Sequence, residues 1–328
     1  MKSVSGEENL KCGSDRTRLK PIFRLVRKKA LGRAIEGDVG RIGLEEGKKP
    51  SWRAKLYTAF LKEEEGLRCD LSWSDGSLIK NLKSFLMEKG VTQGYIKCSE
   101  GSLRNTLCGF FMTKNKPIPT FARALFEGES KVLSISGVFI ETENEGEGAE
   151  PNIVPHLHTI IEKDGGLLGG HLMDAESGEL KLLIKPLTGA KLRREVDPAT
   201  GVMHLRSDVA KEKPERGESL LFAFAPGEDF PNEIRQNLLK SGIQNLRVEF
   251  AIGTLWKAVL ERNGEEFTVK PRHGLEVLST SGEIKCRNSE FSHNIHVDLI
   301  DRYGRFYRGR IVKGVIKDLI EGVASIEK

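Results

Sequence analysis

The chain has 328 residues, of which 38% are hydrophobic and 30% charged, with a formal net charge of +5. That is the composition of a soluble globular protein long enough for two domains, and so modest a charge does not by itself argue for a nucleic-acid partner. No apolar run approaches the roughly 18 to 20 residues that span a bilayer, and the opening Met-Lys-Ser-Val-Ser-Gly-Glu-Glu has no signal-peptide core, so the expected location is cytoplasmic.

The charge is uneven. Up to Lys55 there are 15 basic and seven acidic residues, a local net of +8, so a basic arm precedes a near-neutral body. Within it Ile22, Phe23, Val26, Ala30, Leu31 and Ala34 recur at helical spacing, which predicts a short basic amphipathic helix. Arg24, Arg27, Lys28, Lys29 and Arg33 are its candidate contacts to DNA phosphates; the alternative is a solvated helix or a disordered extension.

From Leu67 the pattern turns to strand, helix and strand. Asp75 can cap a helix whose Leu78, Leu82, Phe85 and Leu86 make one apolar face, with Gly90 as the stop. Short β-type runs follow at Tyr95 to Cys98, Leu107 to Met112, Val132 to Ile140 and Leu180 to Ile184. The five cysteines, Cys12, Cys69, Cys98, Cys108 and Cys286, are scattered and odd in number, which fits reduced structural thiols.

Between those runs lies the stretch His156 to His171, centred on Asp164-Gly165. Both positions of a type I′ turn need φ above zero, so Asp-Gly predicts a two-residue hairpin loop. Lys163 then pairs with Gly166, and His158 falls opposite His171. His156, two residues before His158, projects from the same face and lies diagonal to His171. His156, His158 and His171 are thus a candidate metal site, three imidazoles with an open fourth position, suited to zinc or another first-row ion. The bland reading is three surface histidines gathered by strand alternation, and a one-residue slip in register would undo the cluster. Glu162 shares the face and is read as a solvated residue. Gly165 to Gly170 is better explained by close approach of another backbone, such as a neighbouring subunit, than by phosphate binding, because no helix follows.

Asp208 to Glu218 reads as a linker, and beyond it the order returns. Leu238, Gly242 and Ile243 repeat Leu86, Gly90 and Val91, after a helix with Pro231 in its first turn. Val277 to Gly282 restates Val132 to Gly137. In the second hairpin His296 takes the place of His158, Asn294 that of His156 and Arg310 that of His171. Arginine has no lone pair to give, so the second copy is expected to be metal-free and structural, with Asp298 pairing Arg308 across the strands. The division expected is a basic extension over 1–55, a first domain over 60–207, a linker over 208–217 and a degenerate second domain over 218–328.

These features resemble the plants and prokaryotes conserved (PPC) domain, found alone in bacteria and archaea and behind AT-hook motifs in plant nuclear proteins. The carrying residues are Leu133-Ser134-Ile135-Ser136-Gly137, the His156 and His158 pair, Gly165 with Gly169-Gly170-His171, and Arg193-Arg194-Glu195-Val196-Asp197 through Gly201. The resemblance implies an α+β fold, two tandem copies of a mainly antiparallel β-sheet domain packed around a helix. It also implies trimeric assembly, and a metal on histidines placed like His156, His158 and His171. The arm departs from the plant proteins, lacking an Arg-Gly-Arg-Pro core; Arg308-Gly309-Arg310 falls in a predicted strand.

Three functions follow as expectations. The first is a non-enzymatic, oligomeric, DNA-associated or regulatory protein with a three-histidine zinc site and a phosphate-contacting arm. The alternatives are a metal-dependent enzyme of the hydrolase kind, using His156, His158 and His171 to activate water, and a pure assembly scaffold. The first is favoured because no convincing catalytic partner accompanies the histidines.

Overall fold

The computed structural model describes residues 57–71, 76–112, 120–142, 152–196, 203–207, 218–287 and 290–327. The basic arm, with Arg24, Arg27, Lys28, Lys29 and Arg33, lies outside the described residues, as do Asp75 and the segment 208–217.

The first copy is built on α1 (Leu78–Glu88) and a mostly antiparallel set of strands: β1 (Tyr57–Glu63), β2 (Leu67–Leu71), β3 (Gln93–Cys98), β4 (Gly101–Met112), β5 (Thr120–Thr142), β6 (Asn152–Lys163) and β7 (Gly166–Thr188). A two-stranded ribbon follows, β8 (Leu192–Val196) with β9 (Met203–Ser207). The second copy has β10 (Ser219–Phe224), α2 (Phe230–Ser241), β11 (Asn245–Arg262), β12 (Glu265–Val269), β13 (Leu275–Arg287), β14 (Glu290–Asp301) and β15 (Phe306–Ile326).

Each helix buries the face its sequence predicts. Leu78, Leu82 and Leu86 of α1 pack into the first core, and Ile234 and Leu238 of α2 into the second. The cap of α1 is Ser77, whose Oγ accepts from the Lys80 amide and donates to Asp174. Asp229 caps α2, Pro231 sits in its first turn, and Gly242 closes it in the left-handed conformation.

The runs read as short strands are longer than expected. β5 and β7 each run through 23 residues, and both bend at register shifts, such as that between Val132 and Ser134. Such a shift inserts an extra residue and turns the strand, so one strand serves two parts of a curved sheet. A charged or glycine-bearing stretch such as Glu127-Gly128-Glu129 therefore breaks the apolar pattern without ending the strand.

The duplication extends to backbone detail at one glycine of each copy. Gly101 pairs with Leu180 and Val132, and Gly253 pairs with Ile320 and Val277; both glycines have φ of 139°. The copies are joined at two levels. β1 pairs with β10 through Tyr57 to Leu61 and with β7 through Lys62 and Glu63, so one sheet runs across both. A separate apolar cluster lies at the junction, with Val138, Ile140 and Leu187 of the first copy against Phe250, Ile252 and Val323 of the second. Burial on that scale, at roughly 25 cal/mol for each Å² of apolar surface removed from water, fixes how the copies dock.

Candidate metal centre

The hairpin register is the one the turn dictates. Asp164 and Gly165 have φ of 51° and 73°, Lys163 pairs with Gly166, and His158 pairs with His171. The three rings converge: His156 and His171 have centroids 4.9 Å apart, His156 and His158 5.2 Å, and His158 and His171 5.4 Å. One nitrogen from each lies within 4.8 Å of the others. Across from His171 on β4 stands Gly109, which places no side chain against the ring.

What sequence reasoning missed comes from the second copy. The Nδ1 of His158 donates to the carbonyl oxygen of Val277 on β13, at 2.8 Å. The Nδ1 of His156 is 2.5 Å from Oε1 of Glu321 on β15. A carbonyl and a carboxylate oxygen accept only, so both rings carry a proton on Nδ1, and each ring in its neutral form has its lone pair on Nε2. Glu321 is completely buried and is also held by Arg194 of β8, at 2.8 Å from Nη2 to Oε1 and 3.3 Å from Nη1 to Oε2.

The electrostatics follow from burial. His158 is held well below the ordinary imidazole range by desolvation and by the neighbouring His156 and His171. His171 is lowered to about 3 by desolvation, by His156 and by the Arg194 guanidinium. Both are therefore neutral at ordinary pH, with lone pairs to give. Burial alone would raise the Glu321 carboxyl, but Arg194 and His156 outweigh it and keep it ionised.

This donor set fits a metal ion. His158 and His171, neutral, and His156 beside them give the three-nitrogen arrangement that zinc accepts, and the carboxylate behind His156 and the carbonyl behind His158 are the usual support. The buried hydroxyl of Ser136, directly opposite His158, has no hydrogen-bond partner among the described residues, a polar atom left over at the same site.

Other expectations fall into place around it. Glu162 is exposed and pairs across the strands with Lys131 and Leu167, away from the rings. A side-chain carbon on Gly169 would lie 2.2 Å from the Thr159 carbonyl and 2.9 Å from Cδ1 of Leu278, so the backbone that approaches this glycine is that of its own neighbour β6, and the second copy contributes a side chain. In that copy His296 pairs with Arg310, Asn294 and His296 are exposed, and Asp298 bridges Arg308 at 2.5 Å.

No helix among the described residues is long and apolar enough to cross a membrane. A comparison of the sequence with curated proteins finds no match. Among solved structures, the chain is similar to a metal-containing protein from Archaeoglobus fulgidus, with 25% identity over 44% of this chain and 96% of that one and a TM-score of 0.38. A plant- and prokaryote-conserved (PPC) protein from Pyrococcus horikoshii gives 19% identity over 46% and 96%, with a TM-score of 0.38. A Bacteroides thetaiotaomicron protein whose name proposes DNA binding gives 18% identity over 45% and 96%, with a TM-score of 0.36. The sequence profile of the Plants and Prokaryotes Conserved (PCC) domain matches residues 74–187 and again residues 211–325. With both halves matched, the chain belongs to the PCC domain family and carries the domain twice.

Proposed function

We propose that this is a metal-binding PCC protein, in which His156, His158 and His171 hold one first-row ion, zinc by preference, at the junction of the two copies. The observation that supports this is the convergence of three imidazole nitrogens within 4.8 Å, with two rings fixed from behind by Glu321 and Val277. A bound ion there would supply a Lewis-acidic centre with a free position. Binding is favoured over catalysis because the carboxylate against the rings, Glu321, has both oxygens engaged by Arg194 and His156, and Glu162 lies away from them. Metal analysis by mass spectrometry on protein purified without a histidine tag tests it: about one ion per chain is expected, and none after His158→Ala.

The wider reading is a non-enzymatic, DNA-associated regulatory protein whose basic residues 1–55, Arg24, Arg27, Lys28, Lys29 and Arg33 among them, contact phosphates without reading bases. Self-association belongs to the same proposal. What supports it is that His156 and His158 of the first copy meet Glu321 and Val277 of the second, whereas their counterparts Asn294, His296 and Lys181 are exposed, the pattern of a head-to-tail contact with its reciprocal faces open. DNA binding that weakens steeply with salt and disappears on deleting residues 1–55 is the expected result. No binding at about 50 mM salt would rule the DNA part out.

A further inference from the structure

The two copies carry complementary parts of one arrangement. The pairing of Gly101 with Leu180 and of Gly253 with Ile320 places Lys181 of the first copy where Glu321 stands in the second. Lys181 is largely solvent-exposed, with a side chain 76% accessible, whereas Glu321 is sealed against Arg194 and His156. Conversely Asn294 and Arg310 replace His156 and His171. The first copy keeps the three rings, and the second keeps the groups that stand behind two of them.

We infer that Glu321 and the Val277 carbonyl are positioning groups for the metal centre, so that metal binding and docking of the second copy onto the first are one linked equilibrium. This rests on the metal reading above and deepens it. An imidazole free to turn about its side-chain bonds presents either nitrogen, in either tautomer. The Val277 oxygen accepts only an N–H, so it commits Nδ1 of His158 to the proton and Nε2 to an ion; Glu321 does the same for His156. Glu321 cannot swing away, because Arg194, with a side chain only 4% exposed, grips both of its oxygens. The grip joins the second copy to the ribbon that lies between the two copies, since Arg194 belongs to β8 and Glu321 to β15.

Linkage follows from the same contacts. If the second copy moves off, His156 and His158 lose their fixed orientation, and an ion bound to them loses affinity. An ion that binds the docked arrangement better must favour docking by the same factor. The degenerate copy is then a working half of the centre.

The test measures zinc affinity on the full-length protein by competition with a chromophoric chelator, for wild type, Glu321→Asp and Glu321→Gln. Circular dichroism and thermal melting of the zinc-free forms serve as the folding check. Glu321→Asp keeps the charge that Arg194 requires and withdraws it from His156 by one methylene; Glu321→Gln keeps the shape and removes the charge. The expected result is weaker zinc binding in both, by about 10- to 100-fold, with a smaller zinc-induced rise in melting temperature than in wild type. A lowered melting temperature with zinc affinity unchanged would make Glu321 merely structural and overturn the inference, while the metal reading stood. If Glu321→Gln fails to fold, Glu321→Asp alone decides: unchanged affinity there overturns the inference. Wild-type protein that binds no zinc would remove the metal reading, and this inference with it.

Discussion

Glu321 reaches His156 across 165 residues of sequence, and the 2.5 Å contact between them joins the end of one copy to the middle of the other.

His171→Ala removes a ring that contributes one of the three converging nitrogens. Metal content is expected to fall from about one ion per chain to none, whereas His296→Ala, in the exposed second hairpin, leaves it unchanged. Retention of metal in His171→Ala would show that the ion sits elsewhere.

Gly169→Ala places a carbon 2.2 Å from the Thr159 carbonyl and 2.9 Å from Leu278, which is fully buried in the first core although it belongs to the second copy. A backbone oxygen cannot yield cheaply, so the substitution is expected to cost about 2 kcal/mol or more. Urea denaturation measures it; a loss below about 0.5 kcal/mol would mean the strands slide apart easily.

Arg308→Ala breaks the pair with Asp298, but the arginine side chain is 63% exposed and Asp298 also accepts from Ser279. The expected cost is about 1 kcal/mol, with metal affinity unchanged, since the pair lies in the second hairpin. Denaturation and metal titration of the same sample separate the two effects.

Burial, with the nearby Glu233 carboxylate, raises the Glu228 carboxyl from 4.5 to about 7. Between those values the folded chain holds a proton that the unfolded chain has released, so the contribution is full below pH 4.5 and lost as pH rises through about 7. Glu228→Gln is therefore expected to melt with wild type near pH 4.5 and above it at pH 8.5. The gap should stay under about 1 kcal/mol, because the side chain is partly solvated. Melting curves at the two pH values check the sign.

The local parts of this structure were legible because local chemistry determines them. Asp164-Gly165 set the register that puts His158 against His171, and the apolar face of Leu78, Leu82 and Leu86 announced α1. The duplication was readable from the matched glycines Gly90 and Gly242 after each helix, whose φ of 65° and 70° few other residues adopt easily. Glu321 and Arg194 were not readable as partners. Each is an ordinary charged residue in its own strand, and only the packing of the β8–β9 ribbon against the second copy brings them together. The cap of α1 was missed by two residues, because Asp75 and Ser77 are equally good acceptors by type and only the anchoring of Ser77 to Asp174 distinguishes them.

β1 binds β10 through its first five residues and β7 through its last two, so a single short strand ties both copies before any ion arrives. A site shared by separate subunits empties on dilution, because its halves must meet by diffusion. Here the halves are tethered, and each meets the other at an effective concentration set by the chain, commonly in the millimolar range. Occupancy should then follow metal concentration alone, with the same midpoint in a protein sample diluted a hundredfold.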